Sequence, residues 1–169
     1  MSSLVKEDDH TKGSMNTPIL VEYGDYQCPY TGRAYPIVKE IQKRLRDRLL
    51  FVFCNFPLTH IHPHAQHAAE AAEAAAIQGK FWEMHDYLFE HQQALDDDHL
   101  ARYASKLALD VNRFNRDMSK HTYAARIRQD LLSGEQSGVE GTPTFFINGV
   151  RYDESWDLET LLRAIKNTM

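Results

Sequence analysis

Cysteine is scarce here: the chain has 169 residues and two of them, Cys28 and Cys54. So few thiols exclude a disulfide-stapled scaffold. No apolar run approaches the roughly 20 residues needed to cross a bilayer. The opening MSSLVKEDDHTKGSMNTP lacks an apolar segment of signal-peptide length. The expected location is therefore the cytosol, away from membranes, where both thiols stay free. Positive charge is also short, with 19 Lys and Arg against 24 Asp and Glu, a net charge of -5. That argues against nucleic acid as a partner, because phosphate binding needs a basic face. Only Lys43, Arg44, Arg46 and Arg48 form a local basic cluster. With 43% hydrophobic and 25% charged residues, the composition is that of one globular domain with its own core.

No internal repeat is present. Residues 1–16 are polar and acidic and read as a flexible tail. PILVEYGDY reads as a buried strand, and LLFVFCNF as a second that Pro57 helps to end. Between them Tyr35, Val38, Ile41 and Leu45 recur at helical spacing, with Pro36 expected to kink the helix or delay it. A long alanine-rich stretch follows. Ala68, Ala72, Ala75 and Ala76 offer a small-residue face, and Gly79 ends the first helix. Phe81, Met84 and Leu88 mark a second helix. Leu100, Tyr103, Ala104 and Leu107 mark a third, capped by Asp97 or Asp98. GTPTFFING then opens a strand, Asn148-Gly149 signals a hairpin turn, and VRYDES returns. Asp157 caps a last helix with Leu158, Leu161, Leu162 and Ile165 inward. The order strand, helix, strand, helical block, hairpin, helix predicts an α/β fold: a four-stranded mixed sheet with parallel pairing of its first two strands. Residues 17–63 and 134–169 would form this domain, and 64–133 an all-helical insertion.

Within DYQCPYTGRAY, Cys28 falls between a strand and a helix start. Backbone N–H groups and the helix dipole point outward there, and both favour a thiolate over a thiol. Pro29 fits the first helical turn, where a missing N–H costs nothing. Thr31 stands where a second cysteine would complete a dithiol motif, and its hydroxyl could face the sulfur. Pro143, preceded by Thr142, opens a strand and could hold a cis bond, presenting the Thr142 backbone to a bound chain.

Together these features resemble the DsbA-like branch of the thioredoxin superfamily. The resemblance runs from about Pro18 to the C-terminus and rests on DYQCPYTGRAYPIVKEIQ, NFPLTHIHPHAQHAAEAAEAA, GKFWEMHDYLFEHQ and SGVEGTPTFFINGVRYD. It implies a thioredoxin-like fold with a helical insertion and a thiol–disulfide oxidoreductase activity. It further implies that Cys28 is an exposed nucleophile beside a cis Pro143, with Thr142 binding the substrate backbone. The family's usual second cysteine is absent, so a dithiol cycle is not available at this position. One thiol can instead form mixed disulfides that glutathione resolves. The expected partners are protein or glutathione disulfides, with glutathione a possible co-substrate and no bound cofactor. Three alternatives stand beside this reading. Cys54 could be a displaced resolving cysteine. Thr31 could hold a glutathione thiolate, as in relatives of the glutathione-transferase-kappa and isomerase type. The groove beside Pro143 could bind peptides without redox chemistry, as a chaperone-like module.

Other residues are secondary candidates. Glu22, six residues before Cys28, could relay a proton; Asp25 also flanks that strand. Tyr26 and Tyr30 could line the groove, and Arg33 could hold a glutathione carboxylate. His60, His62, His64 and His67 crowd THIHPHAQH, with His64 and His67 one helical turn apart. Glu70 and Glu73 follow, but the segment reads as loop and cap, and no metal is expected.

Overall fold

The apolar runs become the middle of a sheet. A computed structural model describes residues 5–169. Its strands are β1 (His10–Gly13), β2 (Ile19–Gly24), β3 (Leu50–Asn55), β4 (Thr144–Ile147) and β5 (Val150–Tyr152), in the order β1-β3-β2-β4-β5. β2 and β3 are parallel, joined through helix α1 (Pro29–Leu45) and a short 3-10 turn; the other pairs are antiparallel. Five helices lie between β3 and β4: α2 (Ala65–Ala76), α3 (Phe81–Glu90), α4 (Asp97–Lys106), α5 (Val111–Ser119) and α6 (Ala124–Gln136). α7 (Leu158–Lys166) closes the chain. This is the thioredoxin-like α/β plan with a helical insertion.

The sheet has five strands, one more than the sequence pattern predicts. The extra strand comes from the segment read as a loose tail, of which residues 1–4 lie outside the described residues. HTKG has no apolar alternation, so nothing local marks it as a strand. Tertiary contacts order it. His10 Nε2 lies 2.7 Å from Glu73 Oε2, the Trp82 indole donates to the Thr11 carbonyl at 3.1 Å, and Arg126 pairs with Asp8 at 2.8 Å.

β3 is buried on both faces, which explains its unbroken apolar run. Phe51 and Phe53 face the main core with Leu20, Phe145, α1 and α7. Val52 and Cys54 face a smaller cluster with Tyr23, Phe56 and Val139. On α1 the buried positions are Thr31, Ala34, Val38, Ile41 and Leu45, a stripe at helical spacing. The fully buried Ile41 stabilises the fold by roughly 1.5–3 kcal/mol. α1 continues for 17 residues without a break at Pro36, whose missing N–H leaves the Gly32 carbonyl without its intrahelical donor. The α4 cap is Asp96, one residue earlier than the sequence suggests, and Asp157 caps α7 as its spacing implies. In the β4–β5 turn Asn148 and Gly149 both take positive φ (49° and 83°), the turn that Asn-Gly favours.

Candidate functional site

The sheet register builds the site. β2 and β4 are antiparallel neighbours, with Tyr23 opposite Thr144. The chain leaving β2 and the chain entering β4 therefore meet at one end of the sheet. Cys28 is the N-cap of α1 in extended conformation, and Pro29 takes the first helical position. Its sulfur lies 3.6 Å from the Thr142 carbonyl oxygen, to which the thiol donates. The Thr142–Pro143 peptide bond is cis. Pro29 and Tyr30 are exposed on one flank of the sulfur, while Thr142 and Pro143 are half-buried on the other. The Arg33 guanidinium sits 4.6 Å over the Tyr30 ring.

Two expectations are corrected here. Cys28 is not an exposed nucleophile: only 3% of its surface is accessible. The strand-entry loop carrying Thr142 packs against its sulfur and replaces solvent there. Thr31 does not spend its hydroxyl on the sulfur. It is fully buried, and its Oγ1 accepts from the Asp25 amide at 3.4 Å.

Asp25 is the organising group of the helix mouth. It is 1% exposed and accepts four hydrogen bonds. Oδ1 takes the N–H groups of Gln27 (2.8 Å) and Cys28 (3.2 Å); Oδ2 takes Leu58 N–H (2.9 Å) and His62 Nδ1 (2.8 Å). One carboxylate thus satisfies backbone donors at the start of α1 and ties them to the loop after β3. Gln92, after α3, fastens the other side. Its Nε2 donates to the carbonyls of Tyr26 (2.9 Å) and Cys28 (3.0 Å). In the sequence Asp25 stands out only as a flanking acid. Its position three residues before the N-cap cysteine was the available signal, since short acidic side chains bond amides two or three residues on. Gln92 and the His62 contact had no local signal at all.

Glu22 is 3% exposed in the core, beneath α1 and α3, in the company of Tyr35, Val38, Trp82 and His85. One of its oxygens, Oε2, has no hydrogen-bond partner, and burial raises its pKa to about 8. Tyr26 is buried and bonds His85 Nδ1 at 2.9 Å, so it supports the core rather than lining the groove. Burial holds the His85 imidazole well below its ordinary range, hence neutral. Cys54 belongs to the smaller cluster on the sheet face away from α1, and burial pushes its thiol pKa well up. Both cysteines are free. The histidine run is dispersed: His62 turns to Asp25, and His67 Nδ1 lies 2.8 Å from Asp97.

The chemistry on offer is that of one thiol at a helix N-terminus, with a strand-entry carbonyl against it. The thioredoxin family profile matches residues 5–167. A thioredoxin-like oxidoreductase from Silicibacter pomeroyi is 25% identical, with a TM-score of 0.84 over 96% of this chain and 93% of that one. BdbD from Bacillus subtilis, in its oxidised form, is 23% identical, with a TM-score of 0.81 over 93% and 90% of the two chains. The thiol-disulfide exchange protein alpha-DsbA2 from Wolbachia pipientis is 19% identical, with a TM-score of 0.84 over 96% and 88%. A Na(+)/H(+) antiporter NhaA from Salinispora tropica is 46% identical over 158 residues, 93% of this chain but 24% of the antiporter. The chain thus spans about a quarter of the length of the curated relatives it matches.

Proposed function

Because the chain belongs to the thioredoxin family, we propose that it is a thiol–disulfide oxidoreductase of the DsbA-like type working through a single nucleophile, Cys28. The observation that supports this reading is the Cys28 sulfur at the mouth of α1, 3.6 Å from the Thr142 carbonyl.

On this reading the Cys28 thiolate attacks one sulfur of a mixed disulfide between glutathione and a substrate thiol. A bond forms between Cys28 and the glutathione sulfur, and the substrate leaves as a thiolate that takes a proton. A second glutathione thiolate then attacks the bound glutathione sulfur. Oxidised glutathione departs and the Cys28 thiolate returns, so one free glutathione reduces each mixed disulfide. The backbone of Thr142 and Pro143 receives the substrate chain, with Pro29 and Tyr30 as the exposed flank. Arg33, stacked on Tyr30, is placed to meet a glutathione carboxylate. Thr31 acts through Asp25, holding the amide that begins the turn into α1. A compartment rich in free glutathione, the cytosol, suits this cycle. No resident cofactor enters it.

The burial of Cys28 favours a second reading, a peptide-binding module without redox chemistry. The transferase-like alternative is weaker, because Thr31 is buried and bonded to Asp25 rather than open to an external thiolate. Among the described residues no helix is long and apolar enough to cross a membrane. The matching quarter of the antiporters is, on this reading, a thioredoxin-fold segment.

The test is reduction of a glutathionylated peptide in the presence of glutathione. Turnover by the wild-type chain and none by Cys28→Ser supports the monothiol cycle. Equal turnover by both removes it. Peptide binding that survives Cys28→Ser, with no turnover by either, selects the non-redox module.

A further inference from the structure

α2 and the turn between α5 and α6 bring three metal-ligating side chains together, remote in sequence from the Cys28 site. One ligating atom from each of His67, Glu70 and His121 lies within 4.8 Å of the others. His67 and Glu70 stand three residues apart on α2, one helical turn, so both project from the same face. His121 comes from 51 residues further along, and its Nδ1 is 3.0 Å from Glu70 Oε1. A cavity of about 290 Å³ lined by His67, Asp97, Phe114, Met118 and His121 opens beside them.

Two details go beyond mere proximity. The Glu70 side chain is only 2% exposed, yet the ion pair it makes is with His121, and its other oxygen meets only the neutral Gln66 amide at 3.3 Å. A buried carboxylate so placed is short of positive charge. His67, for its part, has Nδ1 held by Asp97 at 2.8 Å, the arrangement in which a carboxylate fixes the tautomer of a ligating histidine.

We propose that His67, Glu70 and His121 form a binding site for a borderline divalent transition-metal ion, zinc above all, with Asp97 as the outer carboxylate. Two imidazoles and one carboxylate suit zinc at about 2.0–2.2 Å, with water in the fourth position. Ligand atoms around such an ion stand roughly 3.3 Å apart, so the cluster must tighten. His121, with a side chain 56% exposed, is free to turn inward. The ion would clasp α2 to the α5–α6 turn. This inference is independent of the redox reading.

The test is zinc titration by calorimetry on the full chain, with cobalt as a spectroscopic stand-in. One zinc per chain is expected, weakened at least tenfold by His121→Ala and by Glu70→Gln and unchanged by His60→Ala. Zinc should raise the melting temperature of the wild-type chain and not that of His121→Ala. Because His121→Ala also takes a partner from buried Glu70 and lowers the metal-free melting temperature, the readout is the shift that zinc adds to each variant's own metal-free value, which separates lost binding from lost folding. The cobalt spectrum should lack thiolate charge transfer. No saturable binding, equal binding by His121→Ala, or a thiolate band that Cys28→Ser abolishes would overturn the site.

Discussion

Asp25 shows how much can rest on one side chain. All four groups it faces are donors, so Asp25→Asn would turn an amide hydrogen toward at least one of them. A buried donor facing a donor costs about 2–4 kcal/mol, and the variant should unfold at correspondingly lower denaturant. If stability is unchanged, Asp25 does not hold the helix mouth. Glu22 behaves in the opposite way. With a folded-state pKa of about 8 against the ordinary 4.5, it stays protonated in the folded chain at neutral pH but ionises when unfolded. The folded state therefore binds the extra proton, and stability falls as pH rises from about 4.5 to about 8, then levels. Glu22→Gln keeps the shape and removes the proton. It should match wild type near pH 4 and be more stable by a few kcal/mol at pH 8, at about 1.4 kcal/mol per unit. Denaturant midpoints across that range would check it.

At the scale of elements, the start of α1 is fastened by a close approach. A Cβ on Gly32 would stand 2.0 Å from Gln92 Oε1. Gly32→Ala should gain up to about 1 kcal/mol of helix propensity while displacing Gln92 from the Tyr26 and Cys28 carbonyls. Little net change in stability is expected, but faster alkylation of Cys28 by iodoacetamide as its surroundings loosen. Alkylation at the wild-type rate would mean that Gln92 does not restrain the cysteine. β1 is the element most dependent on others. His10→Ala removes a partner of Glu73, whose carboxylate is 6% exposed, and should destabilise the chain by about 1–3 kcal/mol in denaturant titration.

The whole molecule separates its two thiols. Cys28 begins the helix that covers one face of the sheet, and Cys54 sits in the cluster on the other. Oxidation should therefore yield adducts of Cys28 with external thiols, and peptide mapping should find no Cys28–Cys54 link. A linked peptide in good yield would restore Cys54 as a resolving cysteine. The same separation accounts for Cys54 as a packed strand residue beside Tyr23 and Val139.

What the sequence determined by itself was whatever repeats at short range. The parallel strands announced themselves by continuous apolar runs, α1 by Tyr35, Val38, Ile41 and Leu45 at helical spacing, the β4–β5 turn by Asn148-Gly149, and α7 by its Asp157 cap. Cys28 and the Thr142–Pro143 pair could be marked as well, because strand, cap and proline signals are local. Only the tertiary structure decided which polar residues meet. It drew HTKG into the sheet through Glu73 and Trp82, gave Thr31 to the Asp25 amide, covered the Cys28 sulfur with Thr142, and set His121 against Glu70. The physical reason is that apolar burial follows the period of the backbone and can be counted along a chain. A buried hydrogen bond or ion pair depends on two groups whose separation in sequence carries no period at all.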